Sequence, residues 1–341
     1  MKINKKRKKG SRIRKFLSIL GPGLITGAAD DDPSGIATYS QTGAQFGFGQ
    51  LWTAVWMLPF MMGVQEASAR IGLVTGKGIA AVVREKYNKK MLYTMVAIVL
   101  IANTINIGAD IGAMAAAANL IIPLHFSAWT LLFTASILIL EIFTSYRIYA
   151  RILKWLALSL LAYPLTILII DMPWAEIIKA TFIPHFEFSF AFLFIITGVL
   201  GTTISPYMFF WEASQEVEEL KEKNYFQNGN YRVRKPMVKR MRIDNNAGMF
   251  ISEVTTWSIM VVAGAVLHKG GVQDIGTAAD AAKALEPLVS SFPNAGFLAK
   301  LIFAIGIIGL GFLAVPVLSG SAAYAVSEAV NWDTGLSLKL K

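Results

Sequence analysis

Long apolar runs make up most of the chain, and short polar or basic segments separate them. A helix needs about 20 residues to cross a bilayer, and eight runs approach or exceed that length. They span approximately residues 16–44, 49–66, 91–121, 128–144, 155–171, 189–212, 247–267 and 297–325. This pattern predicts an all-α, polytopic membrane protein rather than a soluble domain.

Composition supports this class. Of the 341 residues, 55% are hydrophobic and 16% are charged, whereas ordinary soluble domains carry about 25% charged residues. The net charge of +10 would suit a nucleic-acid binder only if the basic residues lay on folded polar faces. Because they lie between apolar runs, we expect a lipid bilayer around the protein, no nucleic-acid partner and no obligate protein partner.

The basic residues also predict the topology. In an eight-span chain, 28 of the 32 lysines and arginines fall on one side, within residues 2–15, 70–90, 147–154, 221–242 and 339–341. Cytoplasmic loops hold the excess of lysine and arginine. We therefore predict a plasma-membrane protein with both ends in the cytoplasm. A cleaved signal peptide is not expected, because no small-residue cleavage site follows the basic start.

Two of the apolar runs contain residues that break helices. The first is broken over residues 30–35, where the sequence reads DDDPSG, and the second at Ser205–Pro206. Proline removes a backbone donor, and glycine loosens a helix. Unwound backbone at membrane depth is tolerated only where it is buried in protein or lines a water-filled cavity. We predict paired half-helices whose free carbonyls and helix ends can bind a cation.

The spacing of the breaks predicts the domain organisation. Five spans separate the start of the first broken helix from the start of the second, which is typical of a five-plus-five inverted repeat. The predicted segments are a basic N-terminus (1–15), a first repeat (16–171), a second repeat (189–325) and a cytoplasmic tail (326–341). Since the second repeat holds only spans six to eight, we expect the chain to be a fragment of a longer transporter.

Candidate chemistry is limited by residue types. The chain has no cysteine and three histidines, His125, His185 and His268, each at the end of an apolar run. Thiolate metal sites and disulfides are therefore excluded. The sequence contains neither a Ser–His pairing nor an HExxH motif, either of which would indicate a hydrolase. We expect a protein that is not an enzyme and has no cofactor.

Aspartates at the first break are the candidate cation ligands. A charged group at bilayer depth costs about 2.5–3.5 kcal/mol on insertion scales, which points to a function. Asp32, next to Pro33, is the first choice. The alternative is that one or two of the aspartates at 30–32 cap the second half-helix, because aspartate suits a helix N-terminus and proline its first turn.

Other acids in or near the apolar runs could have a function or make structural contacts. Asp110, and also Asp31, could belong to a polar network or proton relay, or Asp110 could make only a buried interhelical hydrogen bond. Glu66 is expected to pair with the arginine four residues on, and Glu141 and Glu253 with basic neighbours near cytoplasmic helix ends. The five glutamates within residues 212–223 form either a solvated face with pairs such as 219–223 or an electronegative vestibule for a departing cation.

Two long motifs flank the breaks. The first follows the pattern DPxxIAT…GAQFG…QExSARxGxVTG, and the second reads GTTISPYMFFWEASQ. Together they resemble the NRAMP divalent-metal transporters, and the resemblance covers most of the chain. It implies a LeuT-type inverted repeat with discontinuous helices 1 and 6, incomplete here in its second repeat, and import of a divalent metal ion.

The resemblance also implies a ligand set. The family's two breaks correspond here to Asp32, Pro33, Ser34 and Gly35 and to Ser205, Pro206 and Tyr207. Of the family's Asp-Pro-Gly-Asn motif, this chain keeps the aspartate and has Gly35 in place of the asparagine. Of the family's Met-Pro-His motif, it has Ser205 in place of the methionine, and so lacks the thioether, and Tyr207 in place of the histidine. A backbone carbonyl ligand of the family falls on Thr202.

These departures favour a hard cation. Asp32, the Thr202 carbonyl and Ser205, with Ser34 or Tyr207, would contact the ion through oxygen or water. Such ligands suit Mg²⁺, Ca²⁺ and Mn²⁺, and Mg²⁺ usually keeps several waters. The resemblance is therefore closer to the NRAMP-related magnesium transporters. The predicted substrate is a largely hydrated Mg²⁺, with Mn²⁺ as a second substrate.

Proton coupling is not expected. In the proton-coupled branch an acid follows the third-helix aspartate by three residues, but here Ala113 follows Asp110 at that spacing. One alternative is a proton-coupled Mn²⁺/Fe²⁺ importer of the same family. Another is a LeuT-type carrier of organic solutes or amino acids, which the three aspartates disfavour because such carriers bind the substrate carboxylate at a free half-helix N-terminus.

Overall fold

Helices form nearly all of the chain that the computed structural model describes, namely residues 21–143, 146–168, 172–223, 225, 232–275 and 295–335. The predicted basic N-terminus, residues 1–15, lies outside these ranges, as do residues 336–341 of the predicted tail. No strand occurs within the described residues. The predicted all-α class is confirmed.

The helices match the predicted runs. In chain order they are α1 (Pro22–Asp30), α2 (Pro33–Phe46), α3 (Trp52–Thr75), α4 (Ile79–Lys86), α5 (Lys89–Ile121), α6 (Phe126–Phe143), α7 (Tyr146–Leu156), α8 (Ala162–Ile167), α9 (Trp174–Phe182), α10 (Phe190–Thr203), α11 (Pro206–Glu222), α12 (Lys235–Ala263) and α13 (Ala295–Val330). A 3₁₀ turn joins α7 to α8, and α12 ends in a π-helical turn, Gly264–His268. Each predicted run corresponds to one helix or to one pair of helices.

Both predicted helix breaks are present. Two residues separate α1 from α2, and two separate α10 from α11. Pro33 and Pro206 occupy the first helical positions of α2 and α11, where a missing N–H costs no helical hydrogen bond. Asp32 caps α2, since its Oδ1 accepts a hydrogen bond of 2.6 Å from the amide of Gly35. Ser205 precedes α11 without a side-chain cap.

Helix α12 packs closely against α1. A Cβ atom on Gly23 would lie 2.6 Å from the Cα of Asn245, and one on Gly248 would overlap the backbone of Gly23. The carboxylate of Asp244 accepts hydrogen bonds from the amides of Gly21 (2.6 Å) and Gly23 (3.1 Å). Since the first amides of a helix have no intrahelical acceptor, Asp244 both caps α1 and joins it to α12.

Two further pairs of helices, α13 with α5 and α11 with α3, are in close contact. Helix α13 packs along α5, where the Asn103 amide donates to the Leu318 carbonyl (2.9 Å) and the Ser321 hydroxyl (2.7 Å). Helix α11 packs on α3, where Gly72 lies directly against the carbonyl of Ala213. Helix α13 also packs against α1 and α11.

The outer surface is apolar, as expected for a membrane protein. Large side chains such as Phe60, Ile105 and Leu131 are 66%, 66% and 71% exposed, and a soluble monomer rarely exposes wide apolar patches. Among the described residues, five helical segments are long and apolar enough to cross a membrane: Lys89–Ile121, Phe126–Phe143, Phe190–Glu222, Lys235–His268 and Ala304–Val330.

The acids near helix ends have mixed outcomes. Glu66 pairs with Arg70 at 2.5 Å, as predicted, and also with Arg242 at 2.8 Å. Glu141 accepts a hydrogen bond from the Ser319 hydroxyl. The prediction for Glu253 is wrong, because α12 begins twelve residues before the predicted run and so carries Glu253 deep into the helix. Glu253 is 4% exposed, and neither of its carboxylate oxygens has a hydrogen-bond partner in the described structure.

The glutamates of α11 correct a second prediction. Lys223 pairs with Glu219 at 2.5 Å, as expected. However, Glu212, Glu216 and Glu218 are buried, so the solvated-face interpretation is wrong. The reason is that α11 lies between α3 and α13, which cover its sides down to the last turns.

Candidate cation site at the helix breaks

Asp32 lies between the two helix breaks and is 1% exposed. Its Oδ1 accepts hydrogen bonds from the Ser34 hydroxyl (2.7 Å) and the Gly35 amide (2.6 Å). Its Oδ2 lies 3.4 Å from the hydroxyl of Tyr207 in α11. One carboxylate oxygen is therefore held by the first turn of α2, while the other faces the second break.

Each break leaves backbone carbonyls at the end of the first half-helix without helical donors, and the proline that follows accounts for one of them. In an α-helix a carbonyl bonds to the N–H four residues later, and proline has no N–H. The affected carbonyls belong to Ala29, four residues before Pro33, and to Thr202, four residues before Pro206. The Ala29 carbonyl accepts a hydrogen bond of 3.2 Å from Tyr207. Sequence reasoning missed Ala29, although its spacing from Pro33 could have identified it.

Thr202 and Ser205 form the α10 side of the second break. The Ser205 hydroxyl donates towards the carbonyls of Thr202 (2.6 Å) and Gly201 (2.9 Å). It therefore faces the end of its own half-helix rather than Asp32. A Cβ atom on Gly35 would lie 3.1 Å from the Thr202 hydroxyl and 3.2 Å from Asp32 Oδ1. Gly35 thus allows the start of α2 to lie close to α10.

Asp110 of α5 reaches the same break. Its Oδ1 accepts a hydrogen bond of 3.1 Å from the amide of Ser34, and its Oδ2 has no hydrogen-bond partner among the described residues. Of the two interpretations, an interhelical hydrogen bond is therefore present, and it joins α5 to the start of α2. Asp31, predicted with Asp110 as a network, bonds to a different helix.

Asp30 and Asp31 point to α12. Asp30 Oδ2 accepts from the Ser252 hydroxyl and Asp31 Oδ1 from the Thr256 hydroxyl, both at 2.9 Å. Sequence reasoning missed both hydroxyls. Ser252 and Thr256 follow Gly248 at intervals of four residues, the spacing of one helix face, so the pattern on α12 was available. Asp30 and Asp31 therefore bond to α12, whereas Asp32 lies between the two helix breaks.

The side-chain and carbonyl groups around Asp32 that could bind a metal ion all offer oxygen: the carboxylates of Asp32 and Asp110, the carbonyl of Ala29, and the hydroxyls of Ser34 and Tyr207. In the described part of the chain, no three histidine, aspartate or glutamate side chains are grouped closely enough to hold an ion together. A cation at this position would meet one or two carboxylates with neutral oxygens, a donor set that suits hard divalent ions.

Comparison with known proteins identifies the family. Residues 23–341 match the family described as Natural resistance-associated macrophage protein-like, or Nramp. The chain belongs to the Nramp family. The resemblance that the sequence motifs indicated is therefore confirmed, and the transported substrate of this family is a divalent metal ion.

Two relatives carry the description "divalent metal cation transporter MntH". The protein of Chromohalobacter salexigens is 26% identical over 311 residues, which cover 89% of this chain and 69% of the relative. The protein of Caldanaerobacter subterraneus subsp. tengcongensis is 26% identical over 291 residues, covering 84% of this chain and 67% of the relative. The Nramp chain thus matches about two thirds of each relative's length.

Solved structures show the same fold. A manganese transporter of Eremococcus coleocola superposes with a TM-score of 0.79 at 18% identity, covering 97% of this chain and 69% of that protein. A mutant form of that transporter gives the same TM-score at 17% identity, covering 96% and 69%. Nramp transporters have the LeuT fold, so the predicted LeuT-type architecture with two discontinuous helices is confirmed.

Proposed function

We propose that this Nramp protein imports Mg²⁺, and also Mn²⁺, across the plasma membrane as a largely hydrated ion and without a coupled proton. Asp32 supplies the fixed charge, and the Thr202 carbonyl, Ser205, Ser34 and Tyr207 contact the ion directly or through water. The oxygen-only surroundings of Asp32 are the observation that carries this proposal.

Two substitutions relative to the family motif support a largely hydrated ion. The hydrogen atom of Gly35 faces both Asp32 and Thr202, where the family motif has an asparagine side chain. Ser205 is also smaller than the methionine of the family motif. Neither residue offers the amide or thioether ligand of the family motif, so water is the available substitute, and Mg²⁺ dehydrates reluctantly and is usually held through one or two carboxylates.

Two positions support transport without a coupled proton. Ala113 stands one helical turn after Asp110 and has no titratable group. Tyr207 replaces the motif histidine, and a tyrosine, with an ordinary pKa near 10, does not exchange protons readily near neutral pH. Uptake would instead be driven by the membrane potential, which provides about 4.6 kcal/mol per divalent ion at 100 mV.

Flux in proteoliposomes tests this proposal. With an inside-negative potential and excess Ca²⁺, the protein is expected to accumulate Mg²⁺ while an internal pH dye shows no acidification. Empty liposomes provide the control. Mg²⁺- or Mn²⁺-dependent proton entry would contradict the proposal and favour the proton-coupled Mn²⁺/Fe²⁺ importer, for which the free Oδ2 of Asp110 is the available group.

The ratio of Mg²⁺ to Mn²⁺ transport should respond to a thioether. Ser205→Met is expected to lower this ratio about tenfold, because sulfur is a soft ligand that favours transition metals. The ratio is measured as competition between the two ions for uptake. Ser258→Met, which replaces a buried hydroxyl bonded to its own helix at Val254, is the matched control. An unchanged ratio in Ser205→Met would place Ser205 outside the ion's surroundings.

A further inference from the structure

Glu212 is a buried carboxylate within α11, fewer than two turns beyond the second break. It lies six residues after Pro206, about 9 Å along the helix axis at 1.5 Å per residue, and is 0% exposed. Its Oε2 accepts a hydrogen bond of 2.5 Å from the Thr26 hydroxyl of α1. Its Oε1 has no hydrogen-bond partner in the part of the chain that the structure describes.

The hydrogen bond between Thr26 and Glu212 joins α1 to α11. Helix α1 also has strong contacts with a third helix, α12. Helix α1 is fixed to α12 by Asp244 and by the contact of Gly23 with Gly248. The Thr26 hydroxyl also lies 3.0 Å from the carbonyl of Pro22 in its own helix. If α1 and α11 separate, the hydroxyl therefore keeps an acceptor, whereas the carboxylate of Glu212 loses its partner.

Further carboxylates continue from Glu212 towards the end of α11. Glu216 and Glu219 follow one and two turns later. Glu216, Glu219 and Asp244 line a cavity of about 60 Å³. Lys223 and Arg240 line it too, and Lys223 is paired with Glu219. This end of α11 adjoins the basic segment 221–242, which is predicted to be cytoplasmic.

We propose that Glu212 is a second cation-binding residue, on the cytoplasmic side of the helix breaks, and that Thr26 occupies its carboxylate in the conformation described here. When α1 and α11 separate, the hydrated divalent cation replaces the Thr26 hydroxyl at Glu212. It then passes Glu216 to the cavity near Asp244. The ion meets these carboxylates one after another, because they do not form a joint coordination site in the described structure.

This inference rests on the proposed transport function, so the test separates the two. Glu212→Gln keeps an acceptor for Thr26 but removes the charge. We expect Mn²⁺ influx into proteoliposomes to fall at least tenfold, while the Kd of the purified chain for Mn²⁺, measured by calorimetry, changes less than twofold. Glu141→Gln is the matched control, because Glu141 also accepts from a hydroxyl, that of Ser319, and it should retain native flux.

A thiol at the same position gives a second readout, since the chain has no cysteine. In Glu212→Cys the thiol should react with a hydrophilic, positively charged thiosulfonate added from the cytoplasmic side. Adding Thr26→Val should accelerate this reaction several-fold. Adding Thr42→Val, which removes a buried hydroxyl bonded within its own helix at Thr38, should not.

Native influx in Glu212→Gln, or a thiol in Glu212→Cys that stays unmodified, would overturn the proposal. If Glu212→Gln does not yield folded protein, the thiol reaction decides alone. Mn²⁺ binding that is absent from the native chain, or unchanged by Asp32→Asn, would instead refute the transport function proposed for the breaks.

Discussion

Asp32→Ala is expected to reduce Mg²⁺ and Mn²⁺ uptake by more than about 100-fold. Loss of a group that only supports a metal ligand typically costs 10–100-fold in affinity, and Asp32 is proposed as the charged ligand itself. Its removal leaves the neutral oxygens of Thr202, Ser34 and Tyr207 and the carboxylate of Asp110, which already accepts from the Ser34 amide and belongs to another helix. The measurement is initial Mg²⁺ uptake into proteoliposomes with excess Ca²⁺ present.

Asp31→Asn is the matched control for this prediction. The asparagine oxygen can still accept the hydrogen bond from Thr256, and Asp31 faces α12 rather than the second break. We expect uptake within about fivefold of the native rate, or about 1 kcal/mol. Uptake that survives Asp32→Ala but is lost in Asp31→Asn would show that the ion binds on the α12 side of the break.

Gly248→Ala is expected to destabilise the protein by more than about 3 kcal/mol, at the upper end of the usual cost of overpacking. The added methyl group would overlap the backbone of Gly23. Backbone atoms cannot rotate away as a flexible side chain can, so α1 would have to move off α12. The unfolding midpoint in detergent is the measurement, and failure to obtain monodisperse protein is the extreme form of the result.

Gly63→Ala provides the opposite case in α3. Nothing lies within 4 Å of a Cβ atom at Gly63, and alanine in a helix interior is favoured over glycine by roughly 0.5–1 kcal/mol. The midpoint should therefore stay the same or rise slightly. Equal midpoints for Gly248→Ala and the native chain would mean that α1 and α12 are not in backbone contact.

The helices and their breaks could be predicted from sequence because their causes are local. An apolar run of sufficient length indicates a span, and Pro33 and Pro206 each fix the start of a half-helix. For Asp32, the structure shows the capping role, while the role as a cation ligand stays a prediction. Oδ1 caps α2, and Oδ2 faces the second break and remains the candidate ligand atom.

The partners of the other acids could not be predicted, because they depend on how helices pack. The apolar run at 247–267 marks only part of α12, whose polar first turns carry Asp244. The depth of Glu253 was misjudged for this reason. The run of glutamates in α11 shows the same limit, because charge along a helix does not reveal whether α3 and α13 cover it.

The position of a bound ion tests the central claim most directly. Crystals of the chain soaked with Mn²⁺ should give an anomalous density peak within one water layer of Asp32, next to the Thr202 carbonyl and the Tyr207 hydroxyl. Asp32→Asn crystals treated in the same way should lack it. A peak instead among Asp30, Asp31 and Glu253, with none at Asp32, would contradict the assignment of the ion to the two helix breaks.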